Sequence, residues 1–211
     1  AIVRPGFVIF KKLLFNMSST VVIGIVILFV IFLFGAGGCS YNGLVKEREN
    51  VNSAWAQVEN VYQRRADLIP NLVNTVKGAA NFEKSTLEAV VSARASATQV
   101  KLDANNLDEA GLKRFQQAQD GLSSAISRLL MVTENYPDLK ANKNFSELQA
   151  QLEGTENRIS TERKKFNEVV KTYNTKVSSF PTNLFAGMFG FTPKAYFEAQ
   201  AGADKAPEVK F

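Results

Sequence analysis

The chain has 211 residues, of which 45 % are hydrophobic, and a formal net charge of +5 at pH 7. It has no histidine and one cysteine, Cys39. This excludes an intrachain disulfide, Ser-His and Cys-His nucleophiles and most metal-ligand sets. Residues 40–211 contain 22 basic and 20 acidic residues, and the two signs are interspersed. Such mixing is typical of solvated helix faces, so we expect no nucleic-acid partner. We also expect no cofactor, and the missing ligand residues predict no metal site.

Residues 20–40 are predicted to form a transmembrane helix. Fourteen consecutive apolar residues, 21–34, lie in an uncharged stretch, and a membrane helix needs about 20 mostly apolar residues. The segment is either a retained signal anchor or a signal peptide whose cleavage leaves Cys39 as a lipidated N-terminus. The preceding basic flank, residues 1–19, is expected to lie at the lipid headgroups.

The flanking charges favour one orientation of a single-pass membrane protein. Three basic residues precede the apolar segment, and Lys46 and Arg48 follow it closely, so the positive-inside bias is small. It points to a cytoplasmic N-terminus. We therefore expect the rest of the chain in the periplasm or outside the cell, with the cytoplasmic side as the alternative.

Residues 41–180 are predicted to form a helical body that begins with a helix over about 41–77. Apolar residues recur there every seven positions, which predicts a stripe that faces partner helices. Gly78 is expected to end this helix. The stripe comprises Val51, Trp55, Val58, Tyr62, Ile69, Leu72 and Val76.

Three further helices complete the predicted body. The last one has six residues at a seven-residue spacing: Phe145, Leu152, Ile159, Phe166, Tyr173 and Phe180. Asn144 is expected to cap it and Pro181 to end it. Short connections favour an up-and-down four-helix bundle within one chain, and the alternative is a coiled coil between chains. The three predicted ranges are 83–101, 108–135 and 145–180.

The stretch QRRADLIPN, residues 63–71, departs from the helical pattern. Arg65 is in register with the apolar stripe, so its guanidinium should be buried beside a partner such as Glu162. Pro70 should kink the first helix or split it into 44–68 and 70–77, with Asp67 as a cap for the restart. These residues either fix the packing or form a patch for a partner. The candidates are Arg64, Arg65, Asp67, Pro70, Asn71 and Glu162.

Residues 181–211 are predicted to form an aromatic strap and a disordered tail. The strap is too interrupted by proline and glycine to span a membrane. It either packs against the body or presents an aromatic surface to lipid headgroups or a neighbouring subunit. The contact candidates are Phe185, Phe189, Phe191, Tyr196 and Phe197.

Five long motifs occur in order over about residues 40–197. They are YNGLVKERENVNSAWAQVENVYQRRADLIPNLVNTVKG, EKSTLEAVVSARASA, ENYPDLKAN, FSELQAQLEGTENRIS and YNTKVSSFPTNLFAGMFGF. Together they resemble the LemA family of bacterial membrane proteins. The resemblance implies a bacterial membrane location and an N-terminal membrane helix followed by a four-helix up-and-down bundle, and it brings no catalytic assignment. It also implies scaffolding at membranes, with other membrane proteins such as a membrane protease as partners.

Three functions fit these observations. The first is a non-enzymatic, membrane-anchored scaffold or adaptor that self-associates or recruits partners. The second is a lipoprotein adaptor or sensor tethered through Cys39. The third is a carboxylate-dependent hydrolase, which would need two carboxylates in opposed environments within one cleft.

Overall fold

The computed structural model describes residues 19–78 and 82–198, and these ranges contain helices and connecting segments but no strand. The predicted all-helical class is therefore confirmed. The predicted basic flank up to residue 18 and the tail after residue 198 lie outside the described residues. The helices are α1 (Ser19–Lys77), α2 (Lys84–Gln99), α3 (Glu109–Thr133), the short α4 (Pro137–Lys140), α5 (Lys143–Ser178) and the short α6 (Thr182–Ala186), with a 3₁₀ turn at Ala104–Asn106 between α2 and α3.

Helix α1 unites two segments that the sequence treats as separate elements. It is 59 residues long and continues from the apolar N-terminal part into the first body helix. No helix in the described part of the chain combines the length and the apolar character that crossing a membrane requires, so the predicted transmembrane helix is not confirmed. The helix also runs through Pro70 without a break, so the predicted split at this proline is wrong, and Asp67 caps no restart.

The ends of α5 differ from the prediction at both termini. Asn142, not Asn144, is the N-cap, because its Oδ1 accepts hydrogen bonds from the backbone N–H groups of Asn144 and Phe145. At the other end α5 stops at Ser178, so Phe180 lies beyond the helix and is exposed. The seven-residue spacing therefore describes five buried positions of α5 rather than six.

The long helices pack mainly as two pairs, α1 with α5 and α2 with α3, and α1 also contacts α2. Helices α1 and α5 are antiparallel, since Glu47 lies beside Lys176 while Arg65 lies beside Glu156. Their seven-residue stripes are buried, as the spacing predicts.

The hydrophobic core has two clusters. One is centred on Trp55, Phe115, Phe166 and Phe197, and the other on Ile69, Leu72, Leu122, Leu129 and Phe145.

Candidate functional site

Arg65 lies at the centre of a polar cluster inside the helical body. Its side chain is 1 % exposed. Nη1 donates to Glu156 Oε1 and to Ser123 Oγ, both at 2.6 Å. Nη2 donates to Oε1 of Gln119 at 2.6 Å and to its backbone carbonyl at 3.1 Å. The guanidinium also lies 5.1 Å from the ring centroid of Tyr62. One side chain of α1 is thus tied to α3 and α5 at once.

The ion pair of this cluster is only half buried. Glu156 is 43 % exposed, so water solvates the carboxylate while the guanidinium is enclosed. The buried charge is therefore stabilised by the neutral acceptors on Gln119 and Ser123 as well as by this carboxylate. Gln119 is itself buried, and its Nε2 donates to the carbonyl of Ala97 at 3.1 Å. The cluster consequently extends to the end of α2.

The predicted acidic partner of Arg65 was wrong. Glu162 instead pairs with Lys165 at 2.7 Å, on the same helix. Glu156 lies six residues earlier, which is about 9 Å along a helix axis. The spacing of apolar residues turned Arg65 inward, but it could not specify which part of α5 lies opposite.

The other candidates of the stretch at 63–71 lie on the surface of α1. Arg64, Asp67, Pro70 and Asn71 are all exposed. Asp67 accepts a hydrogen bond from Gln63 Nε2 at 2.8 Å. The structure therefore brings Arg65 into the core and leaves the other four outside it.

A second cationic side chain compensates for Pro70. Proline has no N–H, so the carbonyl of Ala66 loses the donor that residue 70 would supply in a helix. Arg94 of α2 donates from Nε to this carbonyl at 2.7 Å. The role of Arg94 could not be predicted from the sequence, because nothing in its own neighbourhood distinguishes it from a solvated arginine.

Burial raises the pKa of the Tyr62 phenol above its usual value of 10.0, although the positive charges of Arg163 and Arg65 oppose this shift. Beside Tyr62 lies an open cleft of about 380 Å³ between α1, α2 and α3, and Glu59 is the one acidic residue of its lining. The cleft therefore offers no pair of carboxylates. Among the described residues, no group of three or more His, Cys, Asp or Glu side chains could hold a metal ion.

The strap, described here as far as residue 198, is held in an extended form by two asparagines of α5. Asn174 donates to the carbonyl of Lys194 and accepts its N–H, both at 2.8 Å. Asn167 makes the same pair of bonds with Phe197, both at 2.9 Å. The two asparagines are seven residues apart, which places them on one helix face. This spacing is a signal that the sequence analysis missed.

Side chains of the strap complete the attachment. Phe197 is buried against Trp55 and Phe166, with ring centroids 6.1 and 5.4 Å away. Lys194 is also buried, and its Nζ donates to the carbonyls of Ala104 and Asn105 in the 3₁₀ turn. The strap thus closes over the first core cluster.

The aromatic contact candidates differ in how far the structure buries them. Phe191 and Phe197 are buried, so as surface contacts they were wrong: the same rings fill the core where the strap crosses it. Phe185 is partly buried. Phe189 and Tyr196 are exposed. Cys39 lies within α1, but its side chain lies outside the described part of the structure, so its lipidation stays a prediction.

Comparison with known proteins assigns the fold to a family. The chain is 26 % identical over 181 residues to the magnetosome protein MamQ 2 of Paramagnetospirillum magneticum and 25 % identical over 181 residues to MamQ of Magnetospirillum gryphiswaldense. Both matches cover 78 % of this chain, which spans 66 % of the length of each relative. It is also 24 % identical over 158 residues to protein LemA of Metamycoplasma hominis, covering 75 % and 68 % of the two chains. The model of the LemA family matches residues 54–211, and the chain therefore belongs to the LemA family.

Proposed function

We propose that the protein is a membrane-anchored helical scaffold without a catalytic reaction of its own. The observation that carries this proposal is the exposed apolar surface at the start of α1. Its large side chains are between 37 and 69 % exposed. They occupy nearly every position over more than two turns, so they surround the helix. The residues are Val21, Val22, Ile23, Ile25, Val26, Ile27, Leu28 and Ile31.

A lipid bilayer is the environment that covers such a surface. A neighbouring protein helix would bury one stripe of α1, whereas apolar residues on all sides are typical of a helix surrounded by hydrocarbon. Leaving this surface in water would cost about 25 cal/mol for each Å² of apolar area. Residues 20–40 would then serve as the anchor of a single-pass protein, with the body outside the cytoplasm.

We infer that residues 41–180 form an up-and-down four-helix bundle above this anchor. The antiparallel α1–α5 pair and the α2–α3 pair support this arrangement. Because α1 is continuous, the bundle would be rigidly joined to the membrane segment. Such a body suits a protein that positions others at a fixed height above a bilayer.

The pairing of the polar groups supports a structural role. Both terminal nitrogens of Arg65 donate to α3 or α5, and Arg94 compensates for Pro70. Glu47 and Glu162 share a cleft, but they pair with Lys176 at 3.4 Å and with Lys165 at 2.7 Å. Neither carboxylate is placed in the apolar environment that a general acid requires.

Partners would meet the protein on its exposed polar faces. Arg64, Asp67 and Asn71 lie three and four residues apart on α1, so they share one exposed face. We propose this face as the surface for other membrane proteins, such as a membrane protease, and the anchor as the contact for self-association. The small residues Gly24, Gly35 and Gly38 would allow close approach of anchors in lipid, since a Cβ at each would meet no neighbouring atom within 4 Å.

The proposal is tested with the full-length chain and a chain of residues 41–211. We expect the full-length chain to stay in the membrane pellet after alkaline carbonate extraction and the shorter chain to be soluble. Release of the full-length chain by carbonate would refute the anchor.

Mass photometry in mild detergents tests self-association: we expect an oligomer for the full-length chain and a monomer for residues 41–211. Monomers in both samples would refute self-association.

A further inference from the structure

An exposed apolar surface lies at the end of the helical body that adjoins the apolar N-terminal part of α1. Helix α6 and the turns on either side of it leave large apolar side chains uncovered. Phe180 and Met188 are each 79 % exposed, and most of the Leu184 side chain is exposed as well. With the exposed rings of Phe189 and Tyr41 they form what we call the apolar cap: Tyr41, Phe180, Leu184, Met188 and Phe189.

The apolar cap is fixed against α1 rather than extended into solvent. The ring centroids of Phe189 and Tyr41 are 5.1 Å apart, in an edge-on arrangement. Gly190 adopts a positive φ of 73°, a conformation that side chains with a Cβ rarely adopt. This turn places Phe191 in the core while Phe189 stays outside. The cap therefore keeps a defined height along α1, that of Tyr41.

This height is the boundary between apolar and charged sequence. No charged residue occurs from residue 13 to residue 45, whereas residues 46, 47 and 48 are all charged. Tyr41 follows the end of the proposed anchor by a single residue. On the body side of the cap, Lys176 pairs with Glu47 at 3.4 Å. Tyrosine and other aromatic side chains are favoured at this level of a membrane helix, where apolar and polar surroundings meet.

We propose that the apolar cap inserts into the interfacial layer of a lipid bilayer beside α1. This proposal rests on the membrane anchoring proposed above and adds a second point of attachment. The anchor holds α1, whereas the cap holds the C-terminal end of α5. With one membrane helix as the single attachment, the body would be free to rotate about the axis of α1. A second attachment at the C-terminal end of α5 would fix the orientation of the body relative to the membrane.

The test uses the full-length chain in vesicles of phosphatidylcholine and phosphatidylglycerol. Cys39 is replaced by serine, and one new cysteine, Met188→Cys, is labelled with an environment-sensitive fluorophore. Met131→Cys is the matched control, because Met131 is 72 % exposed but lies near the end of α3, beside the second core cluster. Leu184→Cys provides a second position on the cap.

We expect emission from positions 188 and 184 to shift to the blue and to be quenched by nitroxide lipids several-fold more strongly than emission from position 131. If the chain floats with the vesicles but the three positions respond alike, the cap proposal is overturned and the anchor stands. A blue shift at position 188 without quenching by nitroxide lipids would also overturn it, since a second copy would then cover the cap. A chain that fails to float with the vesicles overturns both proposals.

Discussion

Arg94 donates a hydrogen bond of 2.7 Å from Nε to the carbonyl oxygen of Ala66, the carbonyl that Pro70 deprives of its helical partner. The missing N–H of Pro70 and the hydrogen bond from Arg94 explain each other. A proline inside a helix leaves a carbonyl free, and a charged donor from the neighbouring helix satisfies it. The result is an uninterrupted α1 that is bonded to α2 at the point where the sequence predicts either a kink or a split.

The Arg94–Ala66 bond predicts a coupling between positions 94 and 70. Arg94→Met should lower the free energy of unfolding by about 1.5–3 kcal/mol, the range for a hydrogen bond that involves a charged group. In a Pro70→Ala background the same change should cost less, because the new N–H of residue 70 bonds to the Ala66 carbonyl. Urea unfolding of the four chains gives the coupling energy. Equal costs in both backgrounds would show that Arg94 does not act through this carbonyl.

The polar cluster at Arg65 predicts unequal effects of two nearby glutamates. Glu156→Ala removes the carboxylate beside a buried guanidinium and should cost on the order of 1–3 kcal/mol. Arg65→Met should cost less, since it removes the buried charge and retains an apolar side chain of similar length. Glu162→Ala is the matched control and should stay within about 0.5 kcal/mol, as surface substitutions do. Thermal and urea unfolding would contradict this assignment if Glu162→Ala cost more than Glu156→Ala.

Burial lowers the pKa of the Lys194 ammonium below its usual 10.5. The negative charge of Asp103 opposes this shift, whereas the positive charge of Arg48 adds to it. Between the folded and the unfolded pKa, the unfolded chain therefore binds more protons than the folded chain. Stability consequently rises with pH in this window, as the penalty for burying a charge is relieved. At lower pH the penalty is fully present.

We expect Lys194→Met to flatten this pH dependence. The free energy of unfolding should rise less steeply for the variant than for the parent chain as the pH approaches the ordinary lysine pKa of about 10.4 from below. Above this range Tyr62 and Tyr173 act in the opposite direction, because burial raises both pKa values. The comparison is therefore confined to the lower range. Identical slopes for the two chains would refute the role assigned to Lys194.

The two asparagine clamps predict local control of the strap. Asn174→Ala should speed hydrogen exchange mainly at the amide of Lys194, and Asn167→Ala mainly at that of Phe197, because each removes the acceptor of that N–H. The double variant should expose both. Asn157→Ala, on an exposed face of α5, is the control and should leave both amides protected. Unchanged exchange in the double variant would mean that the buried Phe197 ring alone holds the strap.

The sequence by itself determined the helices and the faces that they bury. Seven-residue spacing requires that every member of a stripe point the same way, so the burial of Val51, Trp55, Tyr62 and Phe166 followed from the pattern. The same rule turned Arg65 inward, because it occupies a position of the stripe. The five motifs quoted above also predicted membership of the LemA family, since their residue types and their order are specific.

The tertiary structure alone decided how far one helix slides along another. A seven-residue repeat specifies which face of α5 is buried but not how far α5 is shifted along α1, so it cannot specify that Glu156 rather than Glu162 lies beside Arg65. That offset is set by contacts between distant residues, such as Trp55 with Phe166 and Glu47 with Lys176.

Distant contacts also decided the two places where local rules failed. Pro70 does not split α1, because a donor arrives from another helix. Phe191 and Phe197 are buried, because the strap folds back over the core and two asparagines bind its backbone. Backbone hydrogen bonds to asparagine are nearly independent of the strap's own side chains, so the strap's sequence carries little record of them. The pattern along a helix specifies its buried face, whereas the partner of each buried polar group depends on which helices meet.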